Sequence, residues 1–269
     1  MDKFKLGIVG YGNMASAILN GILKSNILDK KSIIVCDVDE EKLSKLDNEI
    51  TTTGSNQDVF DNSKYILLAV KPQMFDKLLD QDKYSTKATA VISIMAGKNI
   101  ATIKNKFVEK PTVVRIMPNT PCLVAEGMSG LVFDDTKDTE LIEFVKSVFS
   151  AIGKTLLITE KQIDNVSSIS GSGPAYSYLF VNALIKAGMD IGLTFDEAKL
   201  LTSQTVKGSL KMLEDVKSTE EIDVLTDRVC SKGGSTIEAV KHMKESDLDG
   251  IIDIAIKKCK QRNIELSKI

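Results

Sequence analysis

The sequence predicts a Rossmann-type, doubly wound α/β domain over residues 1–160, followed by an all-helical domain over residues 161–269. Three observations carry this. Short apolar runs alternate with helical patterns as far as Ile158, as βαβ units do. The first of those runs opens directly into a glycine loop. Beyond about residue 160 only helices with readable starts remain, and no internal repeat or low-complexity linker separates the two halves.

Phe4 to Val9 is an apolar run that reads as a buried strand, and Ile18, Leu19, Ile22 and Leu23 recur at helical spacing after it. Between them lies Gly10-x-Gly12-x-x-Ala15. In a dinucleotide-binding turn the first glycine permits the tight bend and the second lets the backbone approach a pyrophosphate. The third small residue lets helix pack on strand. The N–H groups of the new helix then face the phosphates.

A second strand, Ser32 to Cys36, ends at Asp37, 25 residues beyond Gly12, close to where such folds place the acid that holds the adenosine ribose. Asp37 and Asp39 also compete to cap the helix beginning near Glu40, and one can do each job. The run Asp37-Val38-Asp39-Glu40-Glu41 holds four carboxylates and no cation for a 2′-phosphate, which favours NADH over NADPH. Tyr65 to Val70 is a near-continuous apolar run ending in Lys71-Pro72, as a parallel strand covered on both faces reads. Lys71 either faces a cofactor at the strand's carboxyl end or is solvated. Ala90 to Met95 ends in Ala96-Gly97, and Pro111 to Met117 closes in Pro118-Asn119-Thr120-Pro121. Ser129 to Phe133 and Lys154 to Ile158 read as strands flanking a helix from Thr139 to Ile152.

In the second half, Ser170-Gly171-Ser172-Gly173-Pro174 opens a helix to about Ala187. It is apolar on most sides, so it must be buried, either in the chain or between subunits. Thr194 to Glu197 and Ser218 to Glu221 are capping-box signatures. Ser231-Lys232-Gly233-Gly234-Ser235-Thr236 leads into a further helix. It is either an ordinary turn capped by Ser235 or Thr236, or an anion cradle of converging amides with hydroxyl donors.

At 269 residues, 43% hydrophobic and 27% charged, the chain is comfortable for two domains and can fill a core. A net charge of −2 gives no electrostatic case for nucleic acid or an anionic membrane. The four cysteines form no C-x-x-C pair, which argues against a zinc site and suits a reducing compartment. The single histidine, His242, reads as a solvated helix residue and removes His-based metal clusters and Ser–His hydrolysis. Arginine occurs only at Arg115, Arg228 and Arg262. No apolar run approaches the ~20 residues of a membrane span, and the glycine loop arrives too early for a secretory signal. The expectation is a cytoplasmic protein without a metal.

Taken together, Gly7-Ile8-Val9-Gly10-Tyr11-Gly12-Asn13-Met14-Ala15, Ala69-Val70-Lys71-Pro72, Met117 to Pro121, Ser170 to Tyr176 and Asp227 to Ala239 resemble the pyrroline-5-carboxylate reductase family over essentially the whole chain. The resemblance implies hydride transfer from NAD(P)H to the C=N carbon of 1-pyrroline-5-carboxylate, giving L-proline in the last step of proline synthesis. It implies that Gly10, Tyr11, Gly12, Asn13, Met14, Asn56, Ala69, Val70, Lys71, Pro72, Ala96 and Gly97 hold the dinucleotide, while the acidic run from Asp37 departs from the small polar or basic residues that many members carry there. It places the substrate carboxylate on Ser231, Gly233, Gly234, Ser235 and Thr236, with Thr236 donating a hydrogen bond towards the ring nitrogen and Glu160 close by. It also implies that the helical domain dimerises and that the homodimer assembles further, commonly into a decamer. Lys232 stands where such sequences often carry proline. A reductase of another small cyclic imine or keto acid, or a dinucleotide-binding sensor without turnover, are the rival readings.

Overall fold

A computed structural model of the chain describes residues 3–78 and 84–266. The described residues up to Pro174, with those from Cys259 onward, make one compact unit, and Ala175–Lys258 make a second.

The first unit is built on an eight-stranded sheet: β1 (Phe4–Val9), β2 (Ile33–Cys36), β3 (Thr51–Thr53), β4 (Ser63–Leu68), β5 (Ala90–Ser93), β6 (Thr112–Met117), β7 (Gly127–Phe133) and β8 (Gly153–Leu157). Their order is β3-β2-β1-β4-β5-β6-β7-β8. Neighbours pair in parallel except β6 and β7, which are antiparallel with Arg115 opposite Val132. That pair departs from the regular alternation expected. Only Pro118 to Glu126, holding a single 3₁₀ turn, joins the two strands, and a parallel return needs a longer crossover. The three-residue β3 carries no apolar residue, so no core pattern marked it in advance.

Helices α1 (Asn13–Lys24), α2 (Glu40–Leu43), α3 (Asn56–Asn62), α4 (Pro72–Leu78), α5 (Ile100–Asn105) and α6 (Thr139–Ser150) follow strands in this unit. Their starts obey local chemistry. Asp39, Ser55, Asn99 and Asp138 each accept a first-turn amide, and Pro72 stands at the first helical position, where its missing N–H costs nothing. Period-two alternation sorts strand residues to opposite faces. Leu6, Ile8 and Leu67 join Ile18, Leu19, Ile22, Phe144 and Val148 in one core. Val9, Ile66 and Leu68 join Phe60, Phe75 and Phe107 in the other. Each fully buried Ile or Phe contributes roughly 1.5–3 kcal/mol. The sheet is thereby held from both faces with its carboxyl ends left to loops.

After β8 the chain runs through α7 (Ile163–Val166) and a π-helical turn, Ser167–Gly171, into α8 (Gly173–Asp190), then α9 (Phe195–Met212), α10 (Thr219–Val229), α11 (Ser235–Glu245) and α12 (Leu248–Leu266). Thr194 and Glu197 form the expected reciprocal box at the start of α9. At α10 half of the box forms. Ser218 caps Glu221, but the Glu221 carboxylate accepts the Lys217 amide at 3.0 Å instead of the Ser218 amide.

The expectation that α8 is buried fails within the chain. Of its described residues only Ile185 is buried, while Tyr178, Leu179 and Phe180 are 51–72% exposed. Ala175–Lys258 contains one other buried apolar residue, Ala198, packed under Gly188 where α8 and α9 approach closely. Within Ala175–Lys258 the neighbouring helices leave most of this apolar helix uncovered. No helix among the described residues is long and apolar enough to cross a membrane.

Candidate active site

The first glycine loop is built from the sheet outward. Gly10 N–H donates to the Cys36 carbonyl at 2.8 Å, and Ala69 N–H donates to the Val9 carbonyl at 2.9 Å, so the exits of β1, β2 and β4 are tied together. Gly10 has φ of +89°, and a Cβ there would lie 2.7 Å from Val70 Cγ1 and 3.0 Å from the Ala69 carbonyl carbon. Conformation and space therefore both demand glycine. Gly12 is the N-cap of α1, no side chain caps that end, and nothing lies within 4 Å of where its Cβ would stand. Asn13 is exposed, Tyr11 and Met14 are half-buried, and Ala15 is buried in the core. An uncapped helix start opening onto free space fits a pyrophosphate.

Asp37 and Asp39 divide the labour. Asp39 caps α2, accepting from Glu41 and Lys42 N–H. Asp37 accepts the Tyr11 amide at 2.6 Å and the Asp39 amide at 2.9 Å, so the acid after β2 is fastened to the glycine loop. Lys42, one residue past the acidic run, brings its ammonium to 3.7 Å from Asp37 and 3.5 Å from Asp39, a cation that the charge argument had not counted. Asn56 opens α3, and its Oδ1 accepts from Cys36 Sγ at 3.2 Å. Burial, with Asp37 and Asp58 nearby, pushes the Cys36 thiol up to about 11, so it stays protonated and able to donate.

At the carboxyl ends of β4, β5 and β6 lies a cavity of about 360 Å³, lined in part by Pro72, Ala96, Gly97, Arg115, Met117 and Ser167. It brings together Pro72 and the Ala96–Gly97 turn; Lys71, just before it, is exposed. Glu160 is bound to the protein's own groups, its Oε1 accepting the Ile100 amide at 2.8 Å with Arg115 Nη1 3.4 Å away. Arg115 is the residue sequence reasoning missed. It is 5% exposed, and burial pulls its guanidinium below the usual range while Glu160 and Asp164 pull it back up. The available signal was an arginine inside an otherwise apolar strand, which calls for a buried acceptor.

The second glycine loop is a tight turn. Gly234 N–H donates to the Ser231 carbonyl at 2.9 Å, and Gly233 has φ of +75°, as the third residue of a type II turn requires. The alternative with Ser235 or Thr236 as N-cap is corrected, because Gly234 is the N-cap of α11 and Ser235 begins the helix. The reason is local. Ser231 Oγ lies 2.4 Å from where a Gly234 Cβ would be, so that close approach uses the glycine as the junction. No side chain caps α11 either, so its first amides stay available beside the half-buried Thr236. His242 lies on the exposed surface of α11.

Comparison with known proteins decides the family. Residues 160–266 match the family model described as pyrroline-5-carboxylate reductase dimerisation, and residues 5–97 match that of the coenzyme F420-dependent NADP oxidoreductases. The chain is 34% identical over 278 residues to the pyrroline-5-carboxylate reductase of Pasteurella multocida, covering 100% of both. It is 33% identical over 271 residues to that of Escherichia coli, again covering 100% of both. The chain belongs to the pyrroline-5-carboxylate reductase family. Solved reductases of that family share its architecture. The Coxiella burnetii structure has a TM-score of 0.86 at 31% identity over 100% of both chains. The Plasmodium falciparum structure, solved with NADP bound, has a TM-score of 0.84 at 28% identity over 99% of both. As a reductase of this family the chain is an NAD(P)-dependent oxidoreductase, and its exposed helical half is the family's dimerisation region.

Proposed function

We propose that the chain reduces 1-pyrroline-5-carboxylate to L-proline, with the glycine loop after β1 holding the dinucleotide and the loop before α11 holding the substrate carboxylate. The observation that carries this reading is the pair of helix starts, α1 and α11, each N-capped by a glycine, each without a side-chain cap and each preceded by a glycine with positive φ. Two such ends suit two separate anions. Functionally, residues 1–160 form the dinucleotide-binding domain and residues 161–269 the helical domain.

The sheet order switches direction between β1 and β4, and in such folds the ligand crosses the crevice there. The pyrophosphate then meets Gly10 to Met14, and the adenosine lies towards Asp37 and Asn56. The nicotinamide end lies towards Ala69 to Pro72 and Ala96-Gly97. When bound, the reduced nicotinamide supplies a hydride. The protein's own tasks are to orient the imine and satisfy its charges, because an imine protonated on nitrogen is already electrophilic. Ser231 and the amides of residues 234–236 anchor the carboxylate, and the Thr236 hydroxyl orients the ring nitrogen. The imine carbon gains a hydride and the nitrogen a proton, so no cysteine or histidine nucleophile is called for.

The Asp37 carboxylate, with a side chain only 10% exposed and a nearby ammonium already shared with Asp39, favours a free ribose 2′-hydroxyl and hence NADH. The exposed apolar residues of α8 and α9 support a homodimer that assembles into a decamer, which light scattering on the purified protein would resolve. Four cysteines free of disulfides suit the cytoplasm. Steady-state kinetics with 1-pyrroline-5-carboxylate and each dinucleotide test the whole reading. The expected result is substrate-dependent oxidation with the higher kcat/KM for NADH. Higher kcat/KM with NADPH would overturn the nucleotide preference, and absence of turnover would overturn the reaction.

A further inference from the structure

Among the described residues Arg115 is the only charged side chain that is buried, and the sheet register shows which segment it stands against. Arg115 stands in β6 directly beside Ser93, the last residue of β5, so its side chain starts where the chain leaves the sheet towards Ala96-Gly97. That departing segment is held at two points. Ile94 N–H donates to the Leu68 carbonyl at 3.2 Å, and Ile100 N–H donates to Glu160 Oε1 at 2.8 Å. Between them Gly97 bends with φ of +75°. The oxygen that takes the Ile100 amide is the one facing Arg115 Nη1 at 3.4 Å, and Arg115, Ala96, Gly97 and Lys98 line one cavity.

We propose that Arg115 is a positioning residue for the nicotinamide end of the cofactor, acting through Glu160 to hold the Ala96–Gly97 turn in place. The inference rests on the reading that this turn receives that end of the dinucleotide. Without the guanidinium the Glu160 side chain, 38% exposed, is free to turn towards water, and the far anchor of the turn is released. The Arg115 Nε has no hydrogen-bond partner among the described residues. A buried, half-satisfied guanidinium is poor value for stability alone, and that points to a role in placement.

The test compares binding of the preferred dinucleotide with binding of its fragment lacking nicotinamide, by titration calorimetry, alongside Tm of the protein without ligand and kcat and KM. In Arg115→Met the dinucleotide should bind about 10–30-fold more weakly while the fragment stays within about twofold of wild type, and Arg115→Lys should recover most of the loss. Because the action runs through Glu160, adding Arg115→Met to Glu160→Gln should cost less than about threefold more. If Arg115→Met does not fold, Glu160→Gln alone should still weaken the dinucleotide and spare the fragment. Equal loss of both ligands without rescue by lysine, or full additivity in the double variant, overturns the proposal. Gly97→Val is the separate check on the premise. Wild-type dinucleotide binding in that variant would remove the turn from the cofactor site, whatever Arg115 does.

Discussion

The two glycine loops use the same device under opposite conditions. The loop at Gly10 is wedged against Val70, hydrogen-bonded to β2 and fastened to Asp37, and its helix starts in the core. The loop at Gly233 is held chiefly by its own backbone. Ser231, Lys232 and Gly233 are exposed, nothing stands within 4 Å of a Gly233 Cβ, and α11 buries no residue. The first loop is therefore preformed by a sheet that would exist without it. The second depends on local turn chemistry and on whatever covers the helical half. On the proposed reading the stiff cup takes the dinucleotide and the looser one the imine carboxylate.

The largest effect should come from disturbing the stiff loop. Gly10→Ala adds a Cβ against Val70 at a positive φ. It should cost about 2–4 kcal/mol of stability and ~30-fold or more in dinucleotide affinity, read by thermal unfolding and titration. Next, Thr236→Ala should lower kcat by ~10–100-fold, the loss of one oriented hydrogen bond of ~1.5–3 kcal/mol, with Tm unchanged. Unaltered kinetics would take Thr236 out of the mechanism. Asp37→Ser removes the carboxylate proposed to hold the ribose and should move the NADH/NADPH ratio of kcat/KM about tenfold towards NADPH, a change of ~1.4 kcal/mol. A fixed ratio would assign Asp37 to the loop's architecture alone. The smallest effect should come from Lys232→Pro. Proline favours the second position of a type II turn, so the exposed loop should gain ~0.4–1 kcal/mol and KM for the imine should fall about twofold. A rise in KM would show that the loop needs its mobility.

The glycine loops were legible in the sequence because each sits between an apolar run or cap signal and a helix, and each needs residues with few substitutes. Both halves of the fold were legible for the same reason, since strand periodicity and caps are local. What was not legible depends on pairing across the sheet. The antiparallel β6–β7 pair follows from one short connection, the strand Thr51–Thr53 has no apolar residue to announce it, and Arg115 gains meaning only once β6 lies beside Ser93. The exposure of α8 was hidden differently. Its composition asks for burial, but which molecule supplies it is not written in one helix.

Crystals grown with the oxidised dinucleotide and L-proline test the central claim most directly. The expected density places the pyrophosphate on the amides of residues 10–14 and the proline carboxylate on Ser231 and the amides of residues 234–236. A proline carboxylate seated on any other group, with the loop before α11 left bare, would contradict it.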